Sequence, residues 1–151
     1  MCIRDSNYLN KGQFKNFQQQ TRAIHLLQYM VGRASAPAEF LMPLNKVICG
    51  VALEKSIERY IELTATEREE TDFFLESMIQ HWSALKSTSV PGLQEAFLQR
   101  KGKLFFKEED QCWHLKVEHK TLDLLLNKLP WGFGIIKHPW MNHMLKTEWV
   151  Y

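Results

Sequence analysis

Apolar residues recur at spacings of three and four up to about Gly102, and beyond that point they begin to alternate. In NFQQQTRAIHLLQYMVG, Phe17, Ala23, Ile24, Leu27, Met30 and Val31 fall on one helical face, and Gly32 supplies a stop. ASAP is a short break. The next segment, AEFLMPLNKVICG, groups Leu41, Leu44, Val47 and Ile48; Pro43 kinks that helix or marks its true start, and Gly50 ends it. Residues 51–65 have helical spacing only at Ile57, Tyr60 and Ile61, too little to assign. TATEREETDFFLESMIQHWSAL is the clearest helix. Thr66 and Glu69 have capping-box spacing, and Glu67, Glu70 and Asp72 sit where the helix dipole favours acids. Phe74, Leu75, Met78, Trp82 and Leu85 form its buried stripe. Ser89 is placed to cap a short helix through LQEAFLQRKG to Gly102.

KLFFKEEDQCWHLKVEH has the two-residue period of a hairpin, with EEDQ as its turn. Trp113, Leu115 and Val117 share the inner face; Cys112, His114 and Lys116 share the outer one. TLDLLLNKLP returns to helical spacing at Leu122, Leu125, Leu126 and Leu129, and Pro130 stops it. WGFGIIKH and LKTEWVY read as two short strands around the loop PWMN. The expected class is α+β: a helical N-terminal half, then a small antiparallel sheet with one interposed helix. Residues 17–102 form the helical part, 103–151 the strand-rich part packed on it, and 7–16 a poorly defined lead-in, in one compact domain.

The opening MCIRDS stands apart. Back-translated as ATG TGT ATA AGA GAC AGN, it matches the mosaic-end adapter of transposase-based sequencing libraries. Met1–Ser6 is therefore read as adapter sequence in frame and excluded from fold reasoning. On this reading Cys2 drops out, and the natural protein begins upstream.

Composition changes little in this picture. At 45% hydrophobic and 24% charged, the chain is an ordinary globular sequence, and its 151 residues suffice for one domain with a real core. A net charge of +2, with no Lys/Arg run longer than two, gives no electrostatic footprint for nucleic acid. No apolar run approaches the roughly 18 residues of a membrane span. Cys49 and Cys112 alone make no disulfide framework. Five Trp and nine Phe are many, and Trp131, Trp140 and Trp149 crowd the last part of the chain. They pack a small sheet or present an aromatic docking surface.

The chemistry-bearing residues form no motif. Cys112 and His114 make a Cys-x-His pair, but zinc needs three or four ligands, and no CxxC, HxxxH or HExxH supplies them. His119, His138 and His143 are scattered. Cys49 beside Gly50 reads as a packed small hydrophobe, and a nucleophilic Cys112 would need a histidine base. WGFG is not a phosphate loop. Glu67, Glu69 and Glu70 are explained by their place at a helix start. No catalytic residue, metal site or cofactor site is assigned.

Five strings in order carry a resemblance: RAIHLLQYMVGRASAP, LNKVICGVAL, HWSALKSTSVPGLQEAFLQRKGKL, WHLKVEHKTLDLLLNKLPWGFGIIKHPWM and TEWV. Its most distinctive residues are His81, Trp82 and Leu85; Phe97 to Arg100 with Gly102; and Leu129-Pro130-Trp131 followed by Pro139-Trp140-Met141. From about Phe14 to Val150 the chain resembles the C-terminal region of the tape measure proteins of contractile injection systems, which are phage-tail-like bacterial particles. The resemblance implies a structural protein that sets tube and sheath length, without catalysis, cofactor or small-molecule substrate. It implies partners among the inner tube and the baseplate or spike, assembly in the cytoplasm, and a final place in the particle. A ruler must be long, and a helix gains only about 1.5 Å per residue. A chain broken by five prolines should instead collapse to a radius of gyration of about 15 Å. It is thus expected to be a terminal docking domain, with the ruler upstream and Trp131, Trp140, Met141 and Trp149 as candidate partner-binding residues. A generic non-catalytic helical adaptor and a small hydrolase built on Cys112 are the alternatives.

Overall fold

The computed structural model describes residues 8–33 and 37–150; Met1–Ser6, read above as adapter, lies outside them. The chain divides into two units. The first comprises residues 1–74 and 138–142, the second residues 75–137 and 143–151. The division falls inside a helix rather than at the change of period near Gly102. The five residues from His138 to Asn142 belong to the first unit although they follow most of the second.

The first unit opens with a small hairpin, β1 (Leu9–Asn10) and β2 (Gln13–Phe14), paired antiparallel. Lys11 and Gly12 both have positive φ, as the favoured two-residue hairpin turn requires. The expected lead-in is therefore a formed element over these residues. Helix α1 (Phe17–Gly32) begins at Asn16, whose side chain accepts from Gln19 N at 2.9 Å. It ends not on Gly32 but on Arg33, which takes the left-handed conformation at φ 56° and closes a bond to Tyr29 O. A short 3₁₀ turn (Glu39–Leu41) leads to α2 (Pro43–Ile48), so Pro43 marks a helix start, where its missing N–H costs nothing. The apolar face expected here is only partly realised. Val47 is buried, Leu41 is exposed, and Asn45 and Lys46 are buried instead. The Lys46 ammonium donates to Glu39 and to the carbonyls of Leu53 and Lys55, which fixes the irregular stretch after α2. Ala23, Ile24, Met42, Cys49, Val51 and Ile57 form the core, with Phe14, Phe17 and Leu27 against it.

Helix α3 (Ala65–His81) starts two residues earlier than its sequence suggests. Thr64 Oγ1 accepts from Glu67 N, and Glu67 accepts from Thr64 N, so the capping box is Thr64–Glu67 rather than Thr66–Glu69. Its stripe continues past the helix end: Leu75, Trp82 and Leu85 are buried, while Phe74 and Met78 are half-buried. Ser89 caps α4 (Val90–Leu93), which relaxes into a π-helical turn (Gln94–Leu98) and stops before Gly102.

Gly102 instead opens β3 (Gly102–Lys107), which pairs antiparallel with β4 (Cys112–Glu118) around the expected turn. β5 (Ile135–Ile136) and β6 (Met144–Val150) complete a sheet of order β3-β4-β6-β5. The sheet is mixed and not purely antiparallel, because β4 and β6 run parallel. A parallel pair needs a long crossover. Residues 119–143 provide it, with a 3₁₀ helix (Thr121–Lys128) where an α-helix was expected.

Candidate functional site

In the first unit the strongest polar cluster is built on Glu67. Arg22 on α1 donates from Nε to Oε1 and from Nη2 to Oε2, both at 2.5 Å, and the Tyr8 hydroxyl donates to the same carboxylate. Burial works to raise the Glu67 pKa, but the hydrogen bonds from Arg22, Tyr8 and Thr64 override it and hold the carboxyl at about 2. Tyr8 is pushed upward, by burial first and then by Glu67. This is a clamp between helices, with every oxygen committed. Two shallow depressions flank the irregular residues Tyr60–Glu62: one of about 80 Å³ beside His25, Tyr29 and Arg68, and a more open one beside Gln18 and Arg22. His25 Nε2 lies 2.7 Å from Glu58 O, so its ring is already engaged.

In the second unit Cys112 and His114 do lie on one face of β4, as expected, but that face is not open. Both are buried. In register, His114 stands between Phe105 and Lys146, and Phe105 stacks on its ring at 5.5 Å. Its nitrogens face Asp110 Oδ2 at 3.0 Å and Glu148 Oε1 at 3.4 Å, while Lys146 Nζ reaches Asp110 at 2.8 Å. Lys146 first, then His114, hold the Asp110 carboxyl down at about 2. The Cys112 thiol donates to Asp110 O at 3.1 Å. Thiol and imidazole are thus both turned to Asp110 rather than to each other. Among the described residues no group of His, Cys, Asp and Glu is arranged to hold a metal ion. Cys49 is buried at a helix end, and burial pushes its thiol up to about 12.

The four aromatic and apolar candidates fall into different units. Trp140 and Met141 belong to the first, where both are buried. Trp140 Nε1 donates to Ile48 O at 2.9 Å, Phe14 meets its ring edge-on at 5.3 Å, and the His138 ring stacks on it at 4.7 Å. Gly50, at φ 71°, makes this approach possible: a Cβ there would lie 2.2 Å from Trp140 O. Trp131 and Trp149 belong to the second unit. Trp149 is half-buried, edge-on to Phe133 at 5.8 Å and beneath Arg100 at 5.3 Å. Trp131 is 39% exposed.

Sequence reasoning missed an ion pair close to Trp149. Arg100 donates to Asp123 Oδ2 at 2.7 Å, and each side chain is only 4% exposed. Arg100 also donates to Ala96 O and Glu118 O, joining the π-turn, the end of β4 and the 3₁₀ helix. Burial works to raise the Asp123 pKa, but Arg100 and the Lys120 N–H outweigh it, and the net shift is downward. A lone acid inside LDLLL was the available signal. With Asp123 turned inward, Leu122 is exposed against the expected helical face, whereas Leu125, Leu126 and Leu129 of that face are half-buried and Leu124, off it, is exposed.

A sequence model of the contractile injection system tape measure proteins matches residues 2–149. The chain belongs to that family. No curated protein matches it, and no solved structure does. The tape measure family is structural, and membership makes the chain a component of a contractile injection particle that interacts with other particle components. In a structural protein of this family, the Glu67, Arg100 and Asp110 clusters read as fasteners that set the fold. No described helix is long and apolar enough to cross a membrane.

Proposed function

We propose that this chain is the C-terminal docking domain of its tape measure protein, fastening the ruler to the baseplate or spike end and to the inner tube. The observation that carries this reading is the shortness of its elements. The longest described helix, α3, has 17 residues. At about 1.5 Å per residue it spans roughly 25 Å, far too little to gauge a tube. Length-setting in this reading belongs to an extended helical segment upstream, and the described residues supply the end that holds it in place. The chain acts as an assembly part and not as a catalyst.

Electron microscopy of particles tests this. Deleting residues 8–150 from the full-length protein should sharply reduce the number of assembled particles. Lengthening the upstream helical segment should extend the tubes by about 1.5 Å per added residue. Normal numbers of particles with altered length after the deletion would refute the docking reading.

A further inference from the structure

Between Thr121 and Ile136 the second unit turns four large apolar side chains outward: Leu122, Leu124, Trp131 and Ile135. Leu124 and Ile135 are 68% and 65% exposed. One exposed leucine is ordinary; four such side chains in one short stretch are not. The 3₁₀ helix buries its acid, Asp123, against Arg100, half-buries Leu125 and Leu126, and shows Leu122 and Leu124 to solvent. Asp123 is also the sole acid among residues 119–137, whereas Lys120, Lys128 and Lys137 are all exposed. The charge on the outside of this stretch is therefore entirely positive.

The backbone adds a second observation. Gly132 and Gly134 flank Phe133, yet neither has positive φ, and a Cβ at either would meet nothing within 4 Å. The described fold does not require glycine at these places. The loop is nevertheless held. Thr147 donates from N to Gly134 O at 2.9 Å and from Oγ1 to Phe133 O at 2.6 Å. Because Gly134 bonds toward β6, the alternation of an antiparallel ladder turns the N–H and C=O of Ile135 away from β6. β5 is an end strand of the sheet, so these groups face its outer edge. Bare glycine backbone beside an edge strand suits the close approach of another main chain.

We infer that the 121–136 stretch docks an extended, apolar segment of a partner protein whose flanking residues are acidic, with the segment adding along the β5 edge. The inference rests on the docking reading above and gives that docking a surface and a partner chemistry. A cationic stretch with Trp and Leu also suits an anionic lipid surface. The edge strand and the open glycines favour polypeptide, because lipid offers no backbone to pair.

Photo-cross-linking in assembled particles tests it, with p-benzoylphenylalanine in place of Leu124 and, separately, of Trp131. Mass spectrometry should place both cross-links on one partner segment with Asp or Glu beside its apolar residues. Lys120→Glu with Lys128→Glu should lower the yield about tenfold, and acid-to-lysine changes in that segment should restore it. Circular dichroism should show the variants folded, since the substituted positions are exposed. Cross-links to lipid, to a second copy of this chain, to a segment without acids, or to nothing would each overturn the inference. If that happens while deletion of residues 8–150 still blocks assembly, the docking reading stands and only this surface falls.

Discussion

Trp131 and Trp140 have nearly the same local sequence, each directly after a proline in one aromatic-rich stretch. They end in opposite circumstances. Trp140 is sealed in the first unit by Phe14, His138 and the Ile48 carbonyl, whereas Trp131 stays exposed on the second. Neither outcome is written locally. Trp140 is buried because Gly50, far away in sequence, lacks a side chain and adopts a conformation other residues resist. No such receptor exists for Trp131 among the described residues. An identical side chain is thus a core anchor in one place and surface in the other, and its partners decide which.

The largest expected effects fall on the anchored side. Gly50→Ala combines a strained φ with a collision against the Trp140 carbonyl and should cost about 4 kcal/mol of unfolding free energy in urea titrations. Trp140→Ala should cost about 3–5 kcal/mol through the cavity it leaves. A loss below about 1 kcal/mol at Trp140 would dissolve the contrast with Trp131. Next comes the buried ion pair of the second unit. Asp123→Asn leaves Arg100 without its counter-charge and should cost about 3 kcal/mol, whereas Arg100→Met with Asp123→Leu should recover much of that.

A pH titration separates the fasteners from the apolar contacts. Glu67 is held at about 2 against an ordinary value of 4.5. A carboxylate depressed in the folded state lends stability that is fully present above the unfolded value and is lost as pH falls toward the folded one. The contribution, up to about 3 kcal/mol, should therefore persist above about pH 4.5 and fade toward pH 2. Asp110 moves in the same direction. Glu67→Gln should flatten this part of the stability curve; an unchanged slope would remove Glu67 from the account. Smallest of all, Trp131→Ala should cost about 1–2 kcal/mol, for the part of the indole that is covered, while weakening assembly.

Much of the architecture was legible because it follows from local chemistry. The α1 face, the role of Pro43, the stripe from Leu75 to Leu85 and the hairpin at residues 102–118 all arise from spacing and turn residues. The failures share a cause. TATEREE contains two overlapping Thr-x-x-Glu signals, and Arg22 on another helix selects Glu67 over Glu69. The leucines of TLDLLLNK have good helical spacing, and Leu125 and Leu126 keep to it, but the buried Asp123–Arg100 pair goes inward and Leu122 is left outside. The alternation along β4 was read correctly, but inside and outside were not: Cys112 and His114 of the expected outer face are buried, with Phe105, Lys146 and Glu148 against His114, while Trp113 and Leu115 are only half-buried. The parallel β4–β6 pairing depends on a long crossover whose path no short window reveals. For the candidate partner-binding residues, local sequence did not separate Trp140 from Trp131.

The first unit closes around a segment made long after the rest of it. Ribosomes deliver a chain from its N-terminus, so the core around Ile24 and Met42 is made before the indole that completes it. A transcript broken anywhere before Trp140 yields a first unit with an empty place at Gly50. Such a product would be easily unfolded and readily destroyed by proteases. Synthesis through Trp140 is thereby a condition for the stability of the first unit.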